Sequence, residues 1–301
     1  TSRRRSPNGP QCRSASDDMR SYDEYKRLAD AEAYAKHKKW LPILGVLLGI
    51  IGVAIGVGVS PQSQGLGGFA GLVIGFVVAF VIYRVILHSS SQASADKMYT
   101  ADWCAEHALT DRGDDYSPPN GPYANSGKRQ KSYRAIEGEL NGLTTLFYNF
   151  SYWTESTDSD GNSTETEHPY KIMRLMGTTL PIDRLSIAKR GFMNRFAAID
   201  KLQGKLTPER PIQLESVEFN KLFDLTIDDH ADDIWIRRIF DPATISAAVA
   251  GQFEIPDLRY YDGAWWLIED KHCRARDLDT LLPWQATAAT AIAHLARVQN
   301  L

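Results

Sequence analysis

Cysteine is scarce in this chain, which has three in 301 residues. Cys12, Cys104 and Cys273 lie too far apart in sequence to outline a disulfide framework, so we expect a reducing compartment. His107 follows Cys104 at metal-ligand spacing and His272 precedes Cys273, but a structural zinc site needs four ligands in two close pairs. A buried cysteine and surface histidines are the simpler interpretation. We therefore predict neither a metal nor any other cofactor.

An excess of basic residues is also missing. The formal net charge is −3 and the isoelectric point is near 6.2, which argues against nucleic acid as a partner. The G-x-S-x-G motif of serine hydrolases, the H-E-x-x-H motif of zinc proteases and the protein-kinase motifs are all absent from the sequence. The stretch "GPYANSGKRQK" has the wrong glycine spacing for a P-loop and no Ser or Thr after its lysine. The familiar enzyme motifs therefore give no reaction.

Two long apolar runs are the strongest feature that is present. "WLPILGVLLGIIGVAIGVGV", Trp40–Val59, has no charged residue, and "FAGLVIGFVVAFVIYRVIL", Phe69–Leu87, has only Arg84. A helix of about 20 residues crosses the roughly 30 Å of hydrocarbon in a bilayer. The sequence therefore predicts a transmembrane helical hairpin over residues 40–88.

The link between the two runs matches the dinucleotide fingerprint G-x-G-x-x-A at Gly65, Gly67 and Ala70. That fingerprint requires a short buried strand before it and an acidic residue about 20 positions after it. Neither is present, so we interpret the match as a glycine-rich bend between two membrane helices.

Basic residues are unevenly distributed about the two runs, and the link has none. Cytoplasmic loops of membrane proteins are enriched in Lys and Arg. We therefore expect both termini in the cytoplasm, an integral protein of the bacterial inner membrane, and membrane lipid as a partner. The basic residues before the first run are Arg20, Lys26, Arg27, Lys36, Lys38 and Lys39, and those at or after the end of the second are Arg84 and Lys97.

Glycines recur at four-residue steps in both runs. Small residues at this spacing let helix backbones approach closely in lipid, although glycine is also simply commoner in membrane helices. The shared register favours helix packing, and it leaves open whether the contacts lie within one hairpin or between chains of a homo-oligomer. The candidate packing glycines are Gly45, Gly49, Gly52, Gly56, Gly67, Gly71 and Gly75.

The rest of the chain divides by composition. Residues 1–18 are rich in Arg and Ser, and we expect a disordered or non-native extension with Met19 as the natural start. Residues 19–39 are rich in helix formers and predict a cytoplasmic helix that runs straight into the first span. Residues 89–131 predict a juxtamembrane helix, to about residue 109, and then a polar, turn-rich linker.

From residue 132 to residue 301 the pattern predicts a cytoplasmic α+β domain with antiparallel hairpins. In "LTTLFYNFSYWTE", apolar and polar positions alternate with the period of a half-buried strand. "YKIMRLMGTTL" follows as its partner, and Asp262-Gly263 marks a second hairpin. Asp241, Pro242 and Gly251 fit the beginning and the end of a helix. A closing helix is expected to bury one face, formed by Leu282, Ala286, Ala289, Ile292 and Leu295.

"PIQLESVEFNKLFDLTIDDHADDIWIRRIFDPATISAAVAG", Pro211 to Gly251, resembles the signature of the uncharacterised bacterial membrane-protein family DUF3137. The resemblance rests on an E-S-x-E-F-x-K-x-F segment followed by a strand, an acidic turn and a helix opened by proline. It covers most of the chain at the level of layout and about 60 residues by motif, and "IFDPA" departs from the commoner "LLTP". It implies a pair of membrane helices with an α+β domain, and it implies no reaction or ligand.

Several residues are candidates for binding. Glu218 is the acidic residue with the strongest claim to a role, whereas the aspartates between residues 228 and 233 fit a turn and a helix start. Lys128 and Arg129 either contact anionic lipid or belong to a solvated linker. Tyr260 and Trp265 belong to aromatic clusters that could anchor a partner, although strand alternation turns half of each cluster to the core.

These features predict a membrane-anchored cytoplasmic interaction or sensing module that is not an enzyme and that would suit a subunit of a larger membrane assembly. One alternative is a membrane-tethered hydrolase that uses acidic residues from separate segments. Another is an effector whose glycine-rich spans oligomerise and perturb the membrane. A cavity that joins Glu218 to one of the aspartates would favour the hydrolase.

Overall fold

A computed structural model of the chain describes residues 20–59, 64–114, 116–117, 121, 127, 129–190 and 209–296. These residues form two compact units, one that ends at Glu106 and one that begins at His107. The first unit is helical, and the second is built on an antiparallel sheet. The α+β class expected from the sequence is confirmed.

The helical unit contains α1 (Tyr22–His37), α2 (Trp40–Val59) and α3 (Gln64–Glu106). Both α1 and α2 pack against α3, which is 43 residues long. The helix predicted after residue 88 is confirmed, because α3 continues without a break to Glu106. The helix predicted before residue 40 also forms, but it does not run straight into α2. Lys38 and Lys39 form a turn, because Pro42 has no N–H to donate to the carbonyl of Lys38.

Glycines bring α2 and α3 into close contact. A Cβ atom added to Gly75 would lie 2.9 Å from the carbonyl carbon of Leu48 and 3.2 Å from the Cα of Gly49. Across the same contact, Gly45 and Gly49 make room for the ring of Phe76. The described glycines of the predicted stripe therefore pack within one hairpin. Gly52 is half-buried, while the surroundings of Gly56, Gly67 and Gly71 lie outside the described residues.

Most large apolar side chains of α2 and α3 point outward. Ile50 and Ile74 are each 63 % exposed, and Val85 is 62 % exposed. One helix, described over Leu72–Glu106, is long and apolar enough to cross a membrane, and 17 % of its most apolar window is buried. The described side chains of α2 give only the shorter apolar stretch Gly45–Ile55. The structure thus shows one candidate span, and a second crossing by α2 stays a prediction.

Beyond the apolar part, α1 is held on α3 by polar contacts. The Tyr22 hydroxyl donates to Asp96 at 2.6 Å, and Lys26 donates to Ser91 at 2.8 Å. Tyr25 donates to Asp102, and burial together with this carboxylate raises the pKa of Tyr25 to about 12. These contacts fix α1 along the polar half of α3.

The second unit has nine strands in one sheet, in the order β1-β2-β3-β4-β9-β8-β5-β7-β6, and every neighbouring pair is antiparallel. The strands are β1 (Thr110–Gly113), β2 (Arg129–Leu140), β3 (Leu143–Thr157), β4 (Ser163–Met176), β5 (Arg184–Lys189), β6 (Glu209–Pro211), β7 (Phe223–Asp228), β8 (Leu258–Tyr261) and β9 (Ala264–Glu269). The helices are α4 (Val217–Leu222), α5 (Asp233–Ile239), α6 (Pro242–Val249), a 3₁₀ helix (Ala275–Thr280) and α7 (Leu281–Ala296).

Both predicted hairpins are confirmed. Strands β3 and β4 pair over their whole lengths, and Asp262 and Gly263 turn β8 into β9 with φ of 51° and 70°. Asn141 and Gly142 turn β2 into β3 in the same way, with φ of 50° and 74°. Asn-Gly favours this type of turn as strongly as Asp-Gly does.

The stretch predicted to be a linker, from about residue 110 to residue 131, takes part in the sheet at both ends. It contains β1 and the first residues of β2. Gly121 lies so close to Trp266 that an added Cβ would sit 2.7 Å from the ring, and Gly127 lies against the backbone of Trp153. At these two positions the backbone approaches its neighbours more closely than any residue with a Cβ permits.

Strand β3 is buried on both faces, contrary to the half-buried strand that the alternation predicted. Leu146, Tyr148, Phe150 and Tyr152 lie in the core as expected, but the intervening Phe147, Asn149 and Ser151 are buried as well. The polar members are satisfied by hydrogen bonds rather than by water, so a polar residue in the pattern did not mark a solvent face.

The closing helix α7 forms and buries Ala289, Ile292 and Leu295 as predicted, but the first part of its buried face differs. Gln285 is buried in place of Leu282 and Ala286. Its amide donates to the Leu140 carbonyl at 2.9 Å and accepts from the Asn141 side chain at 2.6 Å. These bonds attach α7 to the turn between β2 and β3, and an apolar pattern alone cannot reveal them.

Candidate functional site: a groove between the short helices

Three short helices, α4, α5 and α6, each begin at a residue that caps the first turn. Ser216 accepts from the Phe219 amide at 3.1 Å, Asp232 from the Ile234 amide at 2.9 Å, and Asp241 from the Thr244 amide at 2.6 Å. Such caps satisfy amides that have no partner inside the helix. The predicted start of α6 at Asp241 and Pro242 is confirmed, and Gly251 follows it at φ +68°.

A cavity of about 640 Å³ lies among these helices. Its apolar lining is mainly one face of α6, because the contributing positions follow the three- and four-residue steps of a helix. Phe240 contributes to the lining and is itself buried against Phe219, with ring centroids 5.6 Å apart. The lining residues are Leu214, Glu215, Ser216, Glu218, Arg237, Phe240, Pro242, Ile245, Ser246, Val249 and Ala250. We call this cavity the helical groove.

Charged side chains lie on the rim of the groove. Arg237 donates to Glu215 at 2.9 Å, and both side chains are exposed. Glu218 is also exposed and makes no ion pair with any described residue. An exposed ion pair contributes about 1 kcal/mol at most, so the rim is adaptable and carries one surplus negative charge.

Two of the helices that form the groove also carry exposed apolar side chains. Four large hydrophobic side chains are exposed in the described part of the sheet unit, and all four lie on α4 and α5. Exposed apolar side chains that cluster on one face indicate an interaction site, whereas scattered ones do not. They are Val217, Leu222, Ile234 and Trp235.

Glu218 is therefore placed at a cavity, but the aspartates are not. Asp228 accepts from the His230 amide at 2.9 Å, Asp232 caps α5, and Asp233 pairs with Arg210. The predicted turn and helix start are confirmed. The described lining of the groove contains none of the aspartates between 228 and 233, so the condition that would favour a hydrolase is not met.

The aromatic anchors proposed from the sequence are wrong. Tyr260 and Trp265 are both buried, and their rings pack edge to face with centroids 5.2 Å apart. The Tyr260 hydroxyl accepts from the Leu180 amide at 2.8 Å. Strands β8 and β9 lie inside the sheet with both faces covered, so alternation did not turn either residue to solvent.

Arg129, one of the two basic candidates, belongs to strand β2 rather than to a solvated linker, and its contact with anionic lipid stays a prediction. Arg129 stacks over the Trp153 ring at 4.2 Å and lies 3.5 Å from Glu165. It therefore links β2, β3 and β4, and no anionic ligand is needed to account for it. Lys128 lies outside the described residues.

A polar network on the sheet has no counterpart in the sequence analysis. The Ser151 hydroxyl lies 2.6 Å from Glu167, 2.9 Å from the Nε2 atom of His272 and 2.9 Å from the Tyr133 hydroxyl. Because an ionised carboxylate only accepts, Ser151 donates to Glu167 and accepts from both His272 and Tyr133. The imidazole therefore carries its proton on Nε2.

This network resembles a catalytic triad only in composition. In a triad the carboxylate orients the imidazole, and the imidazole takes the serine proton. Here Glu167 bonds to the serine itself, and Ser151 is fully buried. Burial, the largest influence, lowers the pKa of His272, and it raises the pKa of Tyr133. The network joins β2, β3 and β4 to the segment after β9.

Cys273 follows His272 in the chain, and its backbone N–H and C=O are held by hydrogen bonds to two side chains, an arrangement that we call the clamp on Cys273. Asn149 accepts from the Cys273 amide and donates to its carbonyl, both at 2.8 Å, and Arg134 donates to the same carbonyl at 2.8 Å. Burial raises the pKa of the Cys273 thiol to about 11, which leaves it protonated and unreactive at neutral pH. Across the described residues, no three His, Cys, Asp or Glu side chains are grouped to hold a metal.

Comparison with family models, with curated proteins and with solved structures gave no match. The resemblance to DUF3137 therefore stays a prediction from the sequence.

Proposed function

We propose that this chain is a membrane-anchored binding module without catalytic activity, and that the helical groove is its binding site. The observation that carries the proposal is the distribution of exposed apolar side chains. In the described part of the sheet unit they are confined to α4 and α5, which form the groove with α6. A partner that covers this face would remove apolar surface from water at about 25 cal/mol per Å².

The membrane part of the proposal is a hairpin of α2 and α3, with both termini in the cytoplasm of a bacterial cell. It is supported by the outward apolar side chains of both helices and by the absence of charge in α2. The basic residues on α1 support the orientation. A site held at the inner surface in this way suits a subunit of a larger membrane assembly.

The two alternative functions have less support. A hydrolase of paired carboxylates needs acidic groups near one another at the site, and Glu218 has no aspartate beside it in the groove. An oligomerising effector would use its glycines between chains, whereas Gly45, Gly49 and Gly75 are already covered within the hairpin.

Site-specific photo-crosslinking in native membranes tests the binding site. A benzophenone side chain at Ser246, which is exposed in the groove, should give a discrete adduct. The same group at Ala243, which is exposed on α6 but does not line the groove, should give none. An additional Ile245→Asp substitution should abolish the Ser246 adduct. Equal labelling from both positions, or none, would contradict a binding groove.

A cysteine-labelling experiment tests the topology. Cys104 and Cys273 are buried, so a failure to label them would not show on which side of the membrane they lie. Introduced cysteines at Ser63, in the link, and at Ser156, which is exposed on the sheet, are the informative pair in a Cys12→Ser background. In intact cells an impermeant maleimide should label Ser63→Cys alone. Labelling of Ser156→Cys would contradict the proposed topology, because it would place the sheet unit outside the cytoplasm.

A further inference from the structure

We infer that the occupant of the helical groove is an amphipathic helix of a partner protein, with a basic residue that pairs with Glu218. This inference rests on the proposed function, because it names the occupant of the same site. Its three parts are the shape of the groove, the apolar surface beside it and the charge of its rim.

The shape favours a helix. The groove is lined by side chains of helices and of the segment that leads into α4. An extended peptide that binds by strand addition needs an open backbone edge, and no strand contributes to the described lining. The contributing face of α6 repeats at positions 242, 245, 246, 249 and 250, and the ridges of a second helix pack into grooves of this periodicity.

The surrounding surface favours a protein over an acyl chain. Val217, Ile234 and Trp235 do not line the cavity but are exposed on α4 and α5, the helices that supply Glu218 and Arg237 to its lining. A single lipid tail would fill the cavity and leave these side chains in water. The apolar face of a helix, with anchors at i, i+3, i+4 and i+7, covers both.

The charge of the rim indicates which polar residues the partner helix carries beside its apolar face. Glu215 already has Arg237 as a partner, whereas Glu218 makes no ion pair with any described residue. Its carboxylate would repel a phosphate or carboxylate headgroup and attract Lys or Arg. Charge complementarity of this kind raises association rates and excludes wrong partners more than it adds affinity.

The test uses the full chain in nanodiscs of zwitterionic lipid and two fluorescent model peptides of about 14 residues, or about four helical turns. Both peptides have leucine at i, i+3, i+4 and i+7, and their polar positions are either lysine or glutamate. Binding is measured by fluorescence anisotropy, and binding to empty nanodiscs is subtracted. The lysine peptide should bind at least about tenfold more tightly than the glutamate peptide, a difference of about 1.4 kcal/mol.

Substitutions of Glu218 test whether its charge selects the peptide. Glu218→Gln should weaken binding of the lysine peptide about fivefold, and Glu218→Lys should weaken it further, while the matched control Glu139→Gln, an exposed glutamate on β2, should change nothing. The carboxylate of Glu218 is exposed, so neither variant should disturb folding. Equal affinity for the two peptides, or insensitivity to Glu218→Lys, would overturn the inference.

The crosslinked adduct separates this inference from the proposed function. A Ser246 adduct on a basic amphipathic helix supports both. An adduct on lipid, or on a peptide without basic residues, overturns the inference and leaves a binding groove. The absence of any adduct overturns both.

Discussion

The two units of this protein differ in where they place large apolar side chains: the helical unit exposes many of them, and the sheet unit buries most of them. In the helical unit, Ile74 on α3 is 63 % exposed, and many large apolar side chains of α2 and α3 also point outward. In the sheet unit, Ile172 is 0 % exposed, and Trp265 and Trp266 are fully buried. The proposed lipid environment of the helical unit would account for this difference, because apolar side chains face away from water.

The same comparison identifies the groove. Large apolar side chains are mostly buried in the sheet unit, so the exposed Val217 and Ile234 are exceptions there. In the helical unit, where many such side chains are exposed, the same exposure would not be exceptional. An exposed apolar side chain is therefore informative only relative to the solvent of its own unit, and α4 and α5 are where the sheet unit departs from its own rule.

The largest expected effect comes from the same substitution made in both units. Ile172→Ala should lower the free energy of unfolding of the sheet unit by about 2–5 kcal/mol, because it leaves a cavity in a packed core. Ile74→Ala should change the stability of the helical unit by less than about 0.5 kcal/mol. Denaturant titration of the two variants in detergent measures both, and similar losses would remove the contrast between the units.

A smaller loss is expected from the clamp on Cys273. Asn149→Ala should cost about 1–3 kcal/mol, because it leaves a buried amide without a partner and removes a bond from a carbonyl. Hydrogen exchange of the segment after β9 should accelerate, while exchange in β5 and β7 stays unchanged. Glu139→Gln, at an exposed position on β2, serves as the control and should leave exchange unchanged. If exchange is unchanged in Asn149→Ala, the clamp has no energetic role.

In the helical unit the matched test is at a glycine. Gly75→Leu should separate α2 from α3 and cost about 1–2 kcal/mol of helix association, because there is no room for a Cβ beside Leu48. Val77→Leu, at a neighbouring exposed position, should have no effect. Disulfide crosslinking between cysteines on the two helices reports the separation, and equal crosslinking in both variants would contradict close packing at Gly75.

The smallest effect is one of pH. The pKa of His272 is lowered in the folded chain, chiefly by burial, whereas in the unfolded chain it returns to about 6.5. Below that pH the unfolded chain binds a proton that the folded chain does not, so stability falls as the pH falls. The decrease in Tm between about pH 8 and about pH 5.5 should be smaller in His272→Gln. An equal decrease would mean that His272 does not contribute.

Turns, strands and helix starts were predicted well from the sequence, whereas the burial of individual side chains was predicted poorly. The turns at Asp262-Gly263 and the helix start at Asp241 depend on neighbouring residues, which the sequence shows directly. The burial of Tyr260, Trp265 and Ser151 depends on what covers both faces of the sheet. That cover comes from residues more than 100 positions away in some cases, such as Cys273 beside Asn149.

The candidate site was predicted in part for the same reason. Glu218 was identified as an acidic residue of interest, and it does line the groove. Its neighbours were not foreseen, because Pro242 and Ile245 lie on another helix and contribute only through the packing of α4 against α6. The network of Ser151, Glu167 and His272 likewise has no signal in the sequence, since its members come from three separate segments.

Spin labels along α3 test most directly whether this helix passes from lipid into water. In nanodiscs, labels at the exposed positions between Val73 and Ile86 should be accessible to oxygen and protected from a water-soluble nickel chelate. Labels at exposed positions between Ser94 and Ala105 should show the reverse, because apolar oxygen partitions into hydrocarbon and the charged chelate does not. Access of the chelate to both stretches of α3 would contradict the membrane anchor.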